Sequence, residues 1–118
     1  MLIGELSQQT GLSKDTIRFY ERNGLIQSSG RKAGSRLYRE YSVSVIERLE
    51  MIRQGKALGF TLSEIRQLAE AWEGGKLSQS QQVEVIQDKL SEIRQKMNQL
   101  QDMENHLAVK LNKLTMVP

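Results

Sequence analysis

A heptad pattern in the last third of the chain restricts the fold more than any other feature of the sequence. Two series of residues step by seven and are offset by three, and nine of their ten positions are apolar, with Glu104 as the exception. This arrangement of a and d positions is typical of a coiled coil. The apolar positions are Val83, Ile86, Leu90, Ile93, Met97, Leu100, Leu107, Leu111 and Leu114.

A helix from residue 83 to residue 114 would be roughly 48 Å long at 1.5 Å per residue. No other segment is long enough to cover its seam, so we expect these residues to form a homodimer interface. The alternative is a helix that folds back on its own N-terminal domain, but a domain of ~75 residues is too small to shield the whole seam. The charges beside the seam do not distinguish parallel from antiparallel pairing, because Lys89, Lys96, Lys110 and Arg94 put some like charges together in either arrangement.

The N-terminal residues predict a helix-turn-helix. A short helix over Ile3–Gln9 is followed by a turn at Gly11, and Ser13 is a suitable N-cap for a second helix that ends near Asn23. Two short helices joined by a glycine-containing turn are typical of this motif. The apolar spacing of the second helix directs three basic side chains outward, namely Lys14, Arg18 and Arg22.

The next residues predict a β-hairpin and two more helices. SSGRKAGSR is polar and glycine-rich, and RLYREY alternates apolar with charged residues, which together indicate an exposed wing. We expect Ser42 to cap a helix over residues 42–58. Thr61 and Glu64 form a capping box that opens a helix over residues 61–73, whose inward stripe ends at Trp72.

These elements predict an all-α fold with a small β-hairpin wing. We expect a winged helix-turn-helix DNA-binding domain in residues 1–75 and a coiled-coil dimerisation helix in residues 76–118. Residues 14–56 hold ten basic and five acidic side chains, and residues 71–118 hold six of each. Seven of the ten basic residues are arginine, whose fork of donors matches phosphate groups and guanine edges. Charge alone does not distinguish a DNA-binding surface from a solvated basic face.

Composition excludes several function classes. The chain holds no cysteine and one histidine, which excludes disulfides, thiolate metal sites and thiol nucleophiles. It shows no nucleophile–base pairing, phosphate loop or paired carboxylates, so we expect no enzyme, no metal and no cofactor. Its apolar runs are too short for a membrane span and its first residues do not resemble a signal peptide, so we expect a cytoplasmic protein with no membrane partner.

Three segments together resemble the mercury-resistance (MerR) type of bacterial transcription regulators: IGELSQQTGLSKDTIRFYERNGLI, RLY and IRQGKALGFTLSEIRQL. The resemblance covers residues 2–72 and extends to the length and heptad phase of the final helix. It implies that the two helices after the hairpin form a second wing and that the last helix pairs antiparallel in a homodimer. It further implies a pseudo-palindromic promoter with an overlong spacer, which the dimer bends and untwists for RNA polymerase.

The resemblance also implies a set of DNA contacts. Arg18 would reach a base edge or phosphate in the major groove, and Arg36 and Arg53 would contact phosphates. Tyr20 would contact the DNA backbone, pack in the core, or do both. One departure is Ser35, where the family usually has tyrosine between glycine and arginine. The expected DNA-binding residues are Lys14, Thr16, Arg18, Tyr20, Arg31, Arg36, Tyr38 and Arg53.

The larger departure concerns sensing. Metal-responsive relatives use a residue at the start of the dimer helix, matched here by Ser80, and cysteines in a loop after that helix. The chain ends at Pro118 without a cysteine, so we expect no thiolate capture of a soft metal. The effector, the operator and the direction of regulation are not indicated.

Two other function classes are open on sequence alone. An architectural or recombination-accessory protein, similar to excisionases, would bend DNA with the same winged helix. A coiled-coil adaptor would have a basic face without a DNA role. Salt-sensitive DNA binding that Arg18→Ala abolishes separates the adaptor from both DNA binders. The location of the binding sites, at promoters or at recombination ends, separates the other two.

Overall fold

The computed structural model describes residues 1–116. Among them it shows five helices and one antiparallel two-stranded hairpin, so the predicted mostly helical class with a small wing is confirmed. The chain divides into two compact units, Met1–Lys76 and a second that begins at Leu77. In order, the elements are α1 (Ile3–Thr10), α2 (Lys14–Arg22), β1 (Ser29–Ala33), β2 (Arg36–Glu40), α3 (Ser44–Ala57), α4 (Leu62–Glu73) and α5 (Gln79–Thr115).

The helix-turn-helix forms as its sequence predicts. Gly11 ends α1 with a φ of 74°, a left-handed conformation that glycine adopts without a steric penalty. Ser13 caps α2, since its hydroxyl accepts a hydrogen bond of 3.1 Å from the backbone N–H of Thr16. Leu6, Ile17 and Tyr20 are buried in the core of the first unit, which fixes α1 against α2.

The hairpin is the wing. β1 pairs with β2 in a register that sets Arg31 opposite Tyr38, and the two strands are joined through Gly34, whose φ is 66°. Both strands are exposed apart from the half-buried Glu40. The base of the wing is fixed to the start of the chain, because the Tyr41 backbone N–H donates to the Met1 carbonyl at 2.6 Å and the Met1 nitrogen donates to the Tyr41 carbonyl at 2.7 Å.

The start of α3 differs from the prediction. Ser42 is not its N-cap: α3 begins at Ser44, after Val43, and that cap position has no side-chain hydrogen bond. Val43 already has helical φ and ψ of −59° and −32°, so the turn preceding the helix includes the residue after the predicted cap. The Ser42 hydroxyl lies 2.6 Å from the Ser44 hydroxyl, and the Ser42 carbonyl accepts from the Val45 N–H.

The capping box that opens α4 is confirmed. The Thr61 hydroxyl accepts from the Glu64 N–H at 3.1 Å, and the Glu64 carboxylate accepts from the Thr61 N–H at 2.9 Å. The helix packs closely on α3 at Gly55, where an added Cβ would lie 2.9 Å from two side-chain carbons of Ile65.

The predicted inward position of Trp72 is wrong, since 62% of its surface is exposed. In the last turn of α4 the side chain that contacts α3 is Glu73, which forms an ion pair with Arg48. Trp72 precedes Glu73 and therefore points about 100° away around the helix.

The second unit consists mainly of α5, a helix of 37 residues and roughly 55 Å. Ser78 and Gln81 form a capping box that opens it, a signal that we did not predict. The nine apolar seam residues are all exposed in the single chain. The predicted end of this segment, residue 118, lies outside the described residues. None of the helices among residues 1–116 is long and apolar enough to cross a membrane.

Candidate nucleic-acid interface

The exposed face of α2 carries basic side chains. Lys14 and Arg18 point away from the core, as the apolar spacing predicts. The Arg18 side chain is 52% exposed, and within residues 1–116 its only ion pair is a 3.4 Å contact with Asp15, whose carboxylate is almost fully exposed. Such an exposed pair contributes little and is screened by salt, so the Arg18 guanidinium is available to a ligand.

Two other predicted residues of α2 take part in the fold. Tyr20 is only 6% exposed and packs in the core. Core packing is one of the two roles expected for it, beside contact with the DNA backbone. Thr16 is half-buried and accepts a hydrogen bond of 2.8 Å from the Ser13 hydroxyl at the helix cap. Phe19, which we did not single out, is 42% exposed beside the Tyr20 ring.

An open cleft of about 1070 Å³ brings α2 and the wing together. Its lining includes two predicted wing residues, Arg31 and Tyr38, and one predicted recognition-helix residue, Arg18. Arg22 and Arg39 also line it, so the cleft holds four arginines against two carboxylates. A concave surface with this excess of positive charge attracts polyanions, because a low-dielectric cleft concentrates the field of its charges.

Lys14, Arg36 and Arg53 are not among the residues that line this cleft. Arg36 is exposed at the start of β2, next to the turn at the tip of the wing. Arg53 of α3 lines a second cleft, of about 460 Å³, together with Lys56. Its guanidinium donates to the Glu50 carboxylate, and this hydrogen bond raises the pKa of Arg53 above its ordinary value.

A connection between α2 and the wing was missed by sequence reasoning. The Glu21 side chain is only 14% exposed and forms an ion pair with Arg39 of β2. Tyr41, which follows β2, lies beside the same carboxylate. Glu21 follows the buried Ile17 by four residues, so its inward position could have been read from the helical period. Arg39 is therefore a link between the wing and α2.

Tyr41 provides a test of this packing. Burial, and secondarily the Glu21 carboxylate, raises the pKa of Tyr41 from 10.0 to about 12. The unfolded chain loses this proton at lower pH than the folded chain, so the stabilisation is complete below pH 10 and is lost as the pH rises to about 12. Between pH 10 and about pH 12, we expect the free energy of unfolding of the wild type to fall by roughly 2 kcal/mol more than that of the Tyr41→Phe variant. Urea unfolding at a series of pH values measures the difference, and identical slopes for the two proteins would contradict it.

The basic side chains do not all face solvent. Arg48 is tied into the fold, since its Nε donates to the Leu25 carbonyl at 2.9 Å and its Nη1 pairs with Glu73.

Within residues 1–116 no three His, Cys, Asp or Glu side chains are arranged to hold a metal ion.

Comparison with known proteins decides the family. The family description "MerR HTH family regulatory protein" matches residues 1–72, and "MerR, DNA binding" matches residues 46–109. The chain belongs to the MerR family. The resemblance predicted from the sequence is thus confirmed, and the fold places this MerR-family chain among DNA-binding transcription regulators rather than enzymes.

Individual relatives agree with this assignment. The HTH-type transcriptional regulator HmrR of Rhizobium leguminosarum bv. viciae is 34% identical over 107 residues, which are 91% of this chain and 81% of the relative. The transcription regulator PbrR691 of Ralstonia metallidurans CH34, solved in complex with lead(II), has a TM-score of 0.80 and 32% identity, covering 92% of this chain and 82% of its own.

A third comparison concerns the fold alone. HiNmlR, described as a MerR family regulator lacking the sensor domain and solved bound to promoter DNA, has a TM-score of 0.58 and 21% identity. The match covers 94% of this MerR-family chain and 86% of that protein.

Proposed function

We propose that this MerR-family chain is a homodimeric regulator that binds a pseudo-palindromic promoter and bends and untwists it for RNA polymerase in the bacterial cytoplasm. The observation that carries the proposal is the arginine-lined cleft, in which Arg18 of α2 lies with Arg31 and Tyr38 of the wing. A major-groove helix flanked by a basic hairpin follows the groove and the adjacent phosphates together.

The proposed work is divided along the chain. Residues 1–75 bind DNA and residues 76–118 hold the two copies together. Within the first part, Lys14 and Arg18 reach into the major groove, and Arg31, Arg36, Tyr38 and Arg53 contact phosphates. Because Thr16 and Tyr20 are engaged in the cap and the core, they position the helix and any contact they make is to the DNA backbone.

The proposed dimer follows from the exposed seam of α5. Nine large apolar side chains on one face of a helix form a surface that a soluble monomer rarely leaves uncovered. An antiparallel pairing of two such helices buries this surface and holds the two DNA-binding domains at a fixed separation. A fixed separation matches the two half-sites of a pseudo-palindrome.

The experiment that tests the function is footprinting across the genome of the organism that encodes the chain, with attention to the promoter beside its own gene. We expect protected sites that lie between misaligned promoter elements, with altered transcription of the adjacent gene when the protein is deleted. Protection confined to recombination ends would instead establish the architectural alternative, and the absence of salt-sensitive protection would exclude both DNA-binding functions.

A further inference from the structure

One acidic residue, Glu104, interrupts the apolar seam of α5. It occupies an a position and is exposed, and it has no ion pair or hydrogen bond among the described residues. Arg94, at an e position, likewise has no ion pair within residues 1–116. Two lysines near Arg94 are paired within the chain. Lys89 and Lys96 both bind the Glu92 carboxylate, at 2.9 Å and 3.0 Å.

A parallel dimer in register would be unfavourable at these positions. In parallel pairing an a residue faces its own copy, so Glu104 would meet the partner's Glu104 in the seam. A g residue would face the e residue of the following heptad, but Lys89, which holds this g position, has only 8% of its side chain exposed and is bound to Glu92. The contact between the two Glu104 carboxylates is therefore the one that makes parallel pairing unfavourable.

Antiparallel pairing permits one register in which every seam position has a counterpart. In antiparallel pairing each a residue shares a layer with a d residue of the other helix. The layers that result are Val83 with the partner's Leu114, Leu90 with the partner's Leu107, Met97 with the partner's Leu100, Glu104 with the partner's Ile93, and Leu111 with the partner's Ile86.

In this register the partner's Arg94 lies next to Glu104. The a and e positions lie on the same side of an antiparallel seam, and Arg94 follows Ile93, so its height along the helix differs from that of Glu104 by about 1.5 Å. A shift of one heptad in either direction would set Glu104 beside the partner's Gln87 or the partner's Gln101, which carry no charge.

We propose that Glu104 binds the partner's Arg94 at two equivalent places in the dimer, and that this pair fixes the antiparallel orientation and the register. The proposal rests on the proposed homodimer and commits to a second copy of this chain as the partner. The g position across from the partner's Lys110 holds Lys89, whose side chain is only 8% exposed and is bound to the Glu92 carboxylate of its own chain, so little repulsion opposes the pair. A chain with different residues at these positions would pair less well, so Glu104 and Arg94 also select the dimer partner.

Charge exchange in the full chain tests the proposal. We expect Glu104→Arg and Arg94→Glu each to raise the dimer dissociation constant roughly tenfold or more, because each creates two like-charge pairs. The double variant restores the wild-type value, and a mixture of the two single variants forms a heterodimer. Asp102→Arg makes the same charge change as Glu104→Arg at an outward f position and is expected to leave the constant unchanged. Sedimentation equilibrium measures the wild type and these five samples, and circular dichroism establishes that each variant retains its helix.

Three results would overturn the proposal. A double variant as weak as the single variants would exclude the pair, and an Arg94→Glu dimer as tight as the wild type would show that Arg94 does not face the partner's Glu104. A monomeric wild-type chain would overturn the proposed dimeric function as well. If the wild type is a dimer and binds promoter DNA but the double variant is not restored, only the assigned pair is wrong.

Discussion

Replacing Leu100 with lysine is expected to convert the dimer to monomers and to abolish operator binding. In the proposed register Leu100 packs against the partner's Met97 in the layers next to the dimer two-fold axis. In the single chain 63% of Leu100 is exposed, so the substitution disturbs no packing within the folded monomer. Two lysines would instead be buried without partners in each dimer, and we expect the dissociation constant to rise about 1000-fold, or about 4 kcal/mol. DNA binding is lost with the dimer, because each half-site alone binds weakly.

Asn98→Lys is the matched control for this variant. It introduces the same charge two residues away at an outward b position, so we expect a wild-type dimer and wild-type DNA binding. Sedimentation velocity measures the mass of each variant. A Leu100→Lys protein that still sediments as a dimer would show that the exposed seam of α5 is not the interface.

Replacing Arg18 with alanine is expected to weaken operator binding by about 1–3 kcal/mol and to reduce discrimination between operator and unrelated duplex. The loss would come from a guanidinium that reaches a base edge in the major groove. Because the ion pair that Arg18 makes with Asp15 in the free protein is exposed and long, its removal changes the stability of the fold little.

Arg36→Ala provides the comparison for Arg18→Ala. Arg36 lies at the tip of the wing, where we propose a phosphate contact, so its loss weakens binding to all duplexes alike and lowers the salt dependence by about one unit. Fluorescence anisotropy over a range of salt concentrations, with operator and scrambled duplexes, measures both effects. An Arg18→Ala protein with unchanged affinity would contradict the assigned recognition helix, and a sequence-selective loss in Arg36→Ala would mean that the wing reads bases.

Features that depend on local sequence were predictable in this chain. Ser13, Thr61 and Glu64 form the caps that their types and spacing indicate, because an N-cap needs only a side-chain oxygen and a free N–H nearby. The heptads of α5 likewise specify a long helix without reference to other elements. The prediction that Ser42 caps α3 was wrong, because Val43, which has no capping side chain, already adopts helical φ and ψ.

Features that depend on the approach of distant elements were not predictable in the same way. The sequence directs Arg18 outward, but it does not show that Arg31 and Tyr38 of the wing line the same cleft. The ion pair between Glu21 and Arg39 joins residues 18 positions apart and exists only once the wing folds back on α2. Arg39 and Arg48 are two of the ten basic residues that composition counts alike, whereas the structure pairs Arg39 with Glu21 and Arg48 with Glu73.

The stoichiometry of the complex with DNA tests the central claim most directly. Sedimentation of the wild-type chain with a duplex recovered by footprinting reports the number of chains bound at saturation. Two recognition helices joined by one antiparallel pair of α5 helices predict two chains on each duplex. A saturated complex that contains a single chain, or no complex at all, would contradict a dimeric reader of promoter DNA.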